Sequence, residues 1–304
     1  MHVAAVVVTY NRLSLLQRLV ERLREVDPAT GLTEILVVDN ASTDGTGAWL
    51  ATQTDLVSQT LATNSGGAGG FDVGLAWAME RGADLAWMMD DDGVPAPDCL
   101  TRLLEHEDLD FWGPAVLAED DPGRLCFPIR LPGGTRVVHA MSEVEAAARD
   151  VASPGLIPGV VIPFNGVLVT RDLVERIGTP RAEFFIWGDD VEYLWRAERA
   201  GARIATVVDA HFAHPATDDL GTPMMFGRTT YNHTPSDLKH YCMARNNTLN
   251  LRDYRGWPFV LMFWVKTLWF YLATHREPAR VALSARAAYA GLRGDFSGHR
   301  RYLR

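Results

Sequence analysis

This sequence predicts an α/β fold: a mostly parallel sheet with helices on both faces. Three observations predict it. Short apolar, β-branched runs alternate with segments of helical periodicity through the first third of the chain. Each run stops at a polar cluster, as strands do when their carboxyl ends face a ligand crevice. The 304 residues, 47% hydrophobic and 22% charged, suffice for one large core, or for one domain with an appendage.

The first strand is "HVAAVVVTYNR", which breaks at Asn11. No basic leader precedes Val3 to Val8, so the run reads as a strand rather than a signal peptide. "LSLLQRLVERLREV" carries Leu15, Leu16, Leu19, Val20 and Leu23 at helical spacing. "EILVVDNAST" is the second strand, "TDGTGAWLATQ" a helix start and "LVSQTLATN" the third strand. "GGFDVGLAWAMERG" is a helix with a glycine stop, and "ADLAWMMDDD" is the fourth strand. The three cysteines, Cys99, Cys126 and Cys242, are scattered and odd in number, which fits a reducing compartment without a disulfide framework.

The chemistry gathers at the strand ends. Thr9 and Tyr10 close the first strand, with Arg12 beyond; Tyr10 and Arg12 are placed to stack on a base. Asp39 follows the second strand and can accept a hydrogen bond from a base or ribose. "TNSGGAGGFDVG", holding Asn64 and Gly69, is glycine-rich before a helix; such a segment brings backbone close to a ligand and aims N–H groups at anions. It is neither a dinucleotide fingerprint nor a P-loop. Asp90, Asp91 and Asp92 stand in a row, and their mutual repulsion needs an offset. On an extended chain Asp90 and Asp92 face one way and can share a divalent cation. An acidic loop with no ligand is the plainer alternative.

Charge divides the chain. Ser236 to Arg304 holds 12 Lys and Arg against 4 Asp and Glu, and the remainder holds 17 against 34. A basic tail on an acidic body suits an anionic surface met by the tail alone, and no nucleic-acid partner is expected. Within the tail, "WPFVLMFWVKTLWFYLA" is apolar and aromatic, but its uninterrupted runs are shorter than the roughly 20 residues a bilayer span needs. Rings beside arginines suit a segment lying at a membrane interface; a helix packed on the body is the alternative.

Together, "VVVTYNR", "ILVVDNASTDGT", "NSGGAGGFDVGL", "WMMDDDG", "FNGVLVTR" and "FFIWGDDVEYLWRA" resemble the ordered motifs of a family 2 glycosyltransferase with the GT-A fold. With "HYCMARNNTLNLR" in the tail, the chain is similar to the actinobacterial galactofuranosyltransferases that build cell-wall galactan, and its length to the initiating kind. The resemblance implies UDP-galactofuranose as donor, a rhamnosyl-N-acetylglucosaminyl diphosphate polyprenol as acceptor, and Mn2+ or Mg2+ as cofactor. It implies a peripheral place on the cytoplasmic face of the plasma membrane. Oligomeric state stays open. The nucleotide-binding set it implies is Thr9, Tyr10, Arg12, Asp39, Asn64, Gly69 and Asp91. Asp90 and Asp92 match the metal-binding pair. Asp190 matches the catalytic base, with Asp189 the acid beside it. A glycine separates Trp187 from the two acids, where the polymerising relatives have none.

Physical reasoning supports the base. Inverting transfer needs a carboxylate to take the acceptor proton, and adjacent Asp189 raises the basicity of the pair. An acidic helix cap is the alternative. The resemblance implies a third metal ligand in "VVDAHFAHPAT", His214 by counting and His211 by local pattern, with a structural histidine as the alternative. Asn165, Gly166, Trp112 and Trp187 are the acceptor-side candidates, the tryptophans by stacking on sugar faces. The long stretch Thr222 to Asp237 reads as an irregular lid. Residues 1–235 are expected to form the catalytic domain, with a donor half to about 95, and 236–304 a helical, membrane-associating region. Two rivals stand beside this reading: a rhamnosyltransferase of the same family, and a nucleotide-sugar-binding scaffold without turnover.

Overall fold

In the computed structural model of the chain, the residues described are 1–134, 136–149, 154–216, 221–227 and 229–303. The chain divides into two compact units, Met1–Pro180 with Tyr193–Ala216 and Arg181–Glu192 with Thr217–Arg304. The first unit thus ends before the expected boundary at residue 235. The second claims a short stretch, 181–192, from the middle of the chain.

The first unit opens with β1 (Val3–Thr9), α1 (Leu13–Arg24), β2 (Leu32–Asp39), α2 (Thr46–Leu50), β3 (Val57–Thr60), α3 (Gly66–Glu80) and β4 (Leu85–Asp90). Strands β3, β2, β1 and β4 lie side by side, all parallel. Every residue of β1 is buried. Val3, Ala5 and Val7 face one way, into the cluster with Leu16, Leu19, Val20 and Leu23 of α1. Ala4, Val6 and Val8 face the other way, against Phe71 and Leu75 of α3. Helices on both faces therefore explain the unbroken apolar run of this strand.

Next come β5 (Val94–Pro95), α4 (Cys99–Leu104), β6 (Phe111–Ala118), β7 (Asp121–Arg130), β8 (Val137–Ala140), α5 (Met141–Arg149), β9 (Leu156–Pro158), β10 (Asn165–Thr170), α6 (Arg171–Ile177), α7 (Asp189–Arg199) and β11 (Ile204–His214). Here the expectation of a mostly parallel sheet fails. β10 runs antiparallel between β4 and β6, and β6 pairs parallel with β11. The sheet of 11 strands is mixed, because β10 returns from the far side without a helical crossover.

The second unit holds β12 (Thr222–Met224), β13 (Thr229–Tyr231), α8 (Asp237–Asn250), α9 (Trp257–Trp269) and α10 (Pro278–Leu292). The expected irregular lid is instead an antiparallel hairpin, β12 with β13. Phe226 at its turn is 95% exposed, and Arg228 lies outside the described residues. The tail is not uniform either. α8 buries His240, Tyr241, Arg245 and Asn246 and forms the centre of the unit. α9 carries Leu261, Met262, Val265, Leu268 and Trp269 on an exposed stripe, with Leu272 in the turn after it. None of the described helices is long and apolar enough to cross a membrane.

Candidate active site

In the first unit, strand register brings the polar ends together. Thr9 lies opposite Asp39, and Val8 opposite Asp90. β4 ends at Asp90, and Asp91 and Asp92 turn away from it. The alternation argument for Asp90 and Asp92 therefore does not apply, since it holds only along a strand. Asp91 is buried and accepts a hydrogen bond of 2.6 Å from the Thr9 hydroxyl. Nη1 of Arg12 donates to Asp91 Oδ1 at 3.2 Å and to Asp92 Oδ2 at 2.5 Å. Nε2 of His214 lies 3.3 Å from Asp92 Oδ1. Arg12 and His214 thus offset the acidic row from within the protein.

The acids diverge accordingly. Burial raises the Asp91 carboxyl above the usual range, although Thr9 and Arg12 oppose it. Burial pushes Asp92 the same way, but His214 and Arg12 outweigh it and hold Asp92 below that range. Burial would lower His214, but its hydrogen bond to Asp92 prevails and the imidazole is pushed up to about 10. His214 Nδ1 faces the Pro215 carbonyl at 2.8 Å. His211 lines a separate cavity of about 270 Å³ with Arg18, Arg22 and Glu119. Of the two candidate histidines, the one beside the acids is His214.

These donors suit a divalent cation in kind. Asp92 Oδ1 is buried and faces the His214 imidazole, and imidazole and carboxylate are both Mn2+ ligands. Among the described residues no three His, Cys, Asp or Glu side chains already converge on one point. The fit is that of a ready pair, Asp92 and His214.

The rest of the expected nucleotide set is held by short loops. Asp39 is fully buried and accepts from the Ser42 N–H at 2.9 Å and the Thr60 hydroxyl at 3.2 Å. Asn64 Oδ1 caps the Gly66 N–H at 2.8 Å. Tyr10 keeps 43% of its surface exposed, as a stacking ring must. The glycine-rich stretch lies inside α3, and packing accounts for most of it. A Cβ on Gly70 would meet Val8 at 2.4 Å, one on Gly74 would meet Val6 at 2.5 Å, and one on Gly69 would meet Ser65 at 2.5 Å. Gly67 has open space.

Two acceptor-side expectations need correction. Trp112 is wholly buried and its indole N–H donates to the Leu103 carbonyl at 2.8 Å, so neither ring face can meet a sugar. Gly166 is a packing residue: a Cβ there would meet Phe212 at 2.6 Å, and its carbonyl accepts from Trp87 Nε1 at 2.8 Å. Asn165 is buried, with its Oδ1 unsatisfied.

The second unit carries the other acids. Asp189, Asp190 and Glu192 occupy the first turn of α7, where the helix dipole favours negative charge. Asp189 and Glu192 are buried, and the Tyr254 hydroxyl donates to Glu192 at 2.6 Å. Burial is the chief cause that raises both aspartates above the ordinary range. Asp190 and Glu192 add to the effect at Asp189, while backbone N–H groups restrain it at Asp190. Two carboxyls sharing such a place titrate as a pair.

The loop before them is strained. Phe185 and Trp187 have φ of 67° and 70°, and Gly188 has 86°. Left-handed backbone costs a residue with a Cβ about 1–2 kcal/mol. Helix α8 holds the loop in that shape. Asn246 Nδ2 donates to the carbonyls of Trp187 at 2.7 Å, Phe184 at 3.1 Å and Ile186 at 3.2 Å. Asn250 Nδ2 donates to Gly188 O at 2.7 Å, and Arg245 Nη2 to Phe184 O at 2.8 Å. Sequence reasoning noted the "ARNNTLN" stretch but gave these residues no role. The available signal was a run of polar side chains, Arg245 to Thr248 with Asn250, in a helix that also holds Tyr241, Met243 and Leu249.

Comparison with known proteins places the chain in a family. Residues 4–111 match the family described as Glycosyl transferase family 2. Galactofuranosyltransferase GlfT1 of Mycolicibacterium smegmatis is 31% identical over 97% of this chain and 97% of its own. That of Mycobacterium tuberculosis is 34% identical over 91% of this chain and 90% of its own. Among solved structures, the mannosyltransferase PcManGT of Pyrobaculum calidifontis, in complex with GDP-Man and Mn2+, superposes with a TM-score of 0.52 at 20% identity. It covers 96% of this chain and 75% of its own, which establishes a shared GT-A fold. Fold similarity stops there, but identity sustained over nearly the whole of two relatives does not: the chain belongs to glycosyltransferase family 2, in its galactofuranosyltransferase branch.

Proposed function

We propose that this enzyme transfers galactofuranose, with inversion, from UDP-galactofuranose to a rhamnosyl-N-acetylglucosaminyl diphosphate polyprenol, the step that initiates a cell-wall galactan. The observation that carries the chemistry is the acid pair opening α7, whose carboxyls are raised toward the range a general base needs. Asp190, the more exposed of the two, takes the proton of the acceptor hydroxyl. Asp189 beside it keeps the pair basic. Tyr10, Arg12, Asp39 and Asn64 hold the uridine, and Asp91 lies toward the ribose or diphosphate. Asp92, His214 and Asp90 would hold a divalent cation. When bound, that cation stabilises the departing diphosphate. Trp187 and Asn165 remain the acceptor-side candidates.

The same reading puts the enzyme on the cytoplasmic face of the plasma membrane, attached through α9. Its exposed stripe includes Leu261 at 67% and Leu272 at 54%, with Arg255 and Arg276 exposed beyond its two ends. Such a helix lies in the interface plane, apolar side inward and cations toward the headgroups. A polyprenol-linked acceptor resides at that surface.

Mass spectrometry of a lipid-linked acceptor analogue tests the donor. Incubation with UDP-galactofuranose should add one or more hexoses, and dTDP-rhamnose should add nothing. Transfer from dTDP-rhamnose alone would establish the rhamnosyltransferase reading. Specific binding of a nucleotide sugar with no transfer would establish the scaffold.

A further inference from the structure

We propose that Asn246, backed by Arg245 and Asn250, is the positioning residue of the Asp189–Asp190 pair: by gathering the carbonyls of residues 184–188 it fixes where α7 begins, and so where the two carboxyls stand. The proposal rests on the reading of that pair as catalytic.

The side-chain orientation of Asn246 is forced. Arg245 Nε donates to Asn246 Oδ1 at 2.8 Å, so the amide nitrogen must face the loop. Its two hydrogens are shared among three carbonyls, all pointing inward from a loop with left-handed residues at Phe185 and Trp187. A loop of this shape does not hold itself, because successive carbonyls turned to one side repel unless a donor stands among them. Asn250 continues the hold one helical turn later, at Gly188, the residue immediately before the acids. A Cβ at Gly188 would come within 3.3 Å of both Asn246 and Asn250, so the fit is close on both sides. Arg245 is fully buried and, besides its bond to Asn246, donates to main-chain oxygens at Phe184 on one side and Phe296 on the other. Three neighbouring polar residues of one buried helix are thus committed to one loop, and that loop ends in the acid pair. The carbonyls that Asn246 and Asn250 reach all lie within five residues of Asp189.

Asn246→Asp tests this. It keeps the shape and the Arg245 contact but replaces the donating nitrogen with an oxygen that repels the three carbonyls. Hydrogen exchange of the amides over 184–190 should quicken. The kcat for transfer should fall about 10²-fold, in keeping with the cost of misplacing a catalytic group by about 1 Å, while the KM for the UDP-sugar stays within about twofold. If Asn246→Asp does not fold, Asn250→Ser removes a single donor and should show the same pattern more weakly. Tyr271→Phe is the control: it deletes a buried hydroxyl bonded to His240 and should lower Tm without changing kcat. Unchanged exchange over 184–190 in both Asn variants overturns the proposal. So does a fall in kcat that Tyr271→Phe matches at equal loss of Tm. If exchange quickens and Asp189→Asn and Asp190→Asn are both fully active, the catalytic reading of the pair has failed, and the positioning role falls with it.

Discussion

Nε2 of His214 lies 3.3 Å from Oδ1 of Asp92, an oxygen that is buried. An acid near the end of one strand and an imidazole at the end of another meet there without a third donor to complete the set.

That pairing predicts a metal dependence with a specific pattern. Transfer should stop in excess EDTA and return with Mn2+. Asp92→Ala and His214→Ala should each weaken Mn2+ binding by tenfold or more, because each removes one of two ready ligands. Electron paramagnetic resonance of added Mn2+ measures binding directly, apart from turnover. Full activity in EDTA, or Mn2+ binding unchanged in both variants, contradicts the assignment.

Asp190→Asn should lower kcat by roughly 10²–10⁴-fold, the usual contribution of a general base. UDP binding, followed by calorimetry, should persist. Asp189→Asn should move the acidic limb of the kcat profile to lower pH, because it removes the like charge that helps keep the pair protonated. Activity of Asp190→Asn at the level of the unaltered enzyme would remove the base from this residue.

Stability should fall in mild acid through His240. This imidazole is wholly buried, and burial lowers it to about 4, against an ordinary value near 6.5. The folded state then binds fewer protons than the unfolded state between those values. Its contribution is complete above about pH 6.5 and is lost as the pH falls toward 4. Thermal unfolding at pH 7, 6 and 5 should show a declining Tm, and His240→Gln should flatten that decline. An equal decline in His240→Gln assigns the loss to other groups.

The exposed stripe of α9 predicts membrane attachment. Leu261→Ser, Val265→Ser and Leu268→Ser together should release the protein from anionic vesicles in a flotation assay, since burying apolar surface is worth about 25 cal/mol per Å². Arg276→Glu and Arg286→Glu should weaken binding further at low salt. Arg280→Glu is a different matter: this side chain bonds Asp237 at 2.8 Å and the Pro235 carbonyl at 2.6 Å, so its loss should lower Tm. Equal flotation of the triple variant and the unaltered protein would exclude α9 as the contact.

The legible parts were those with a local cause. Period and punctuation revealed β1 to β4 and the helices between them, and the polar ends revealed the crevice. The acid pair was visible because it stands in a motif that resembles those of family 2 glycosyltransferases. Trp112 was misplaced because a core indole and a sugar-stacking indole look alike in an apolar run; only burial separates them. The antiparallel return of β10 left no mark, because a strand covered on both faces reads the same in either direction. Phe185 and Trp187 gave no sign of left-handed backbone, which small residues usually announce. Their conformation is imposed from α8, far along the chain, and no local pattern could carry it.

The second unit is built from two separate stretches of chain, and this sets an order of synthesis. The loop bearing Asp189 and Asp190 leaves the ribosome well before the helix that shapes it. Until residues 245–250 have been made, the acids have no Asn246 or Asn250 beneath them. The first unit, by contrast, is complete in sequence at Ala216. A nascent chain therefore completes its first unit before the loop that carries the acid pair is held. The segment that holds the acid loop, α8, is followed by the apolar α9, so that loop is fixed at about the moment the chain acquires its exposed apolar stripe.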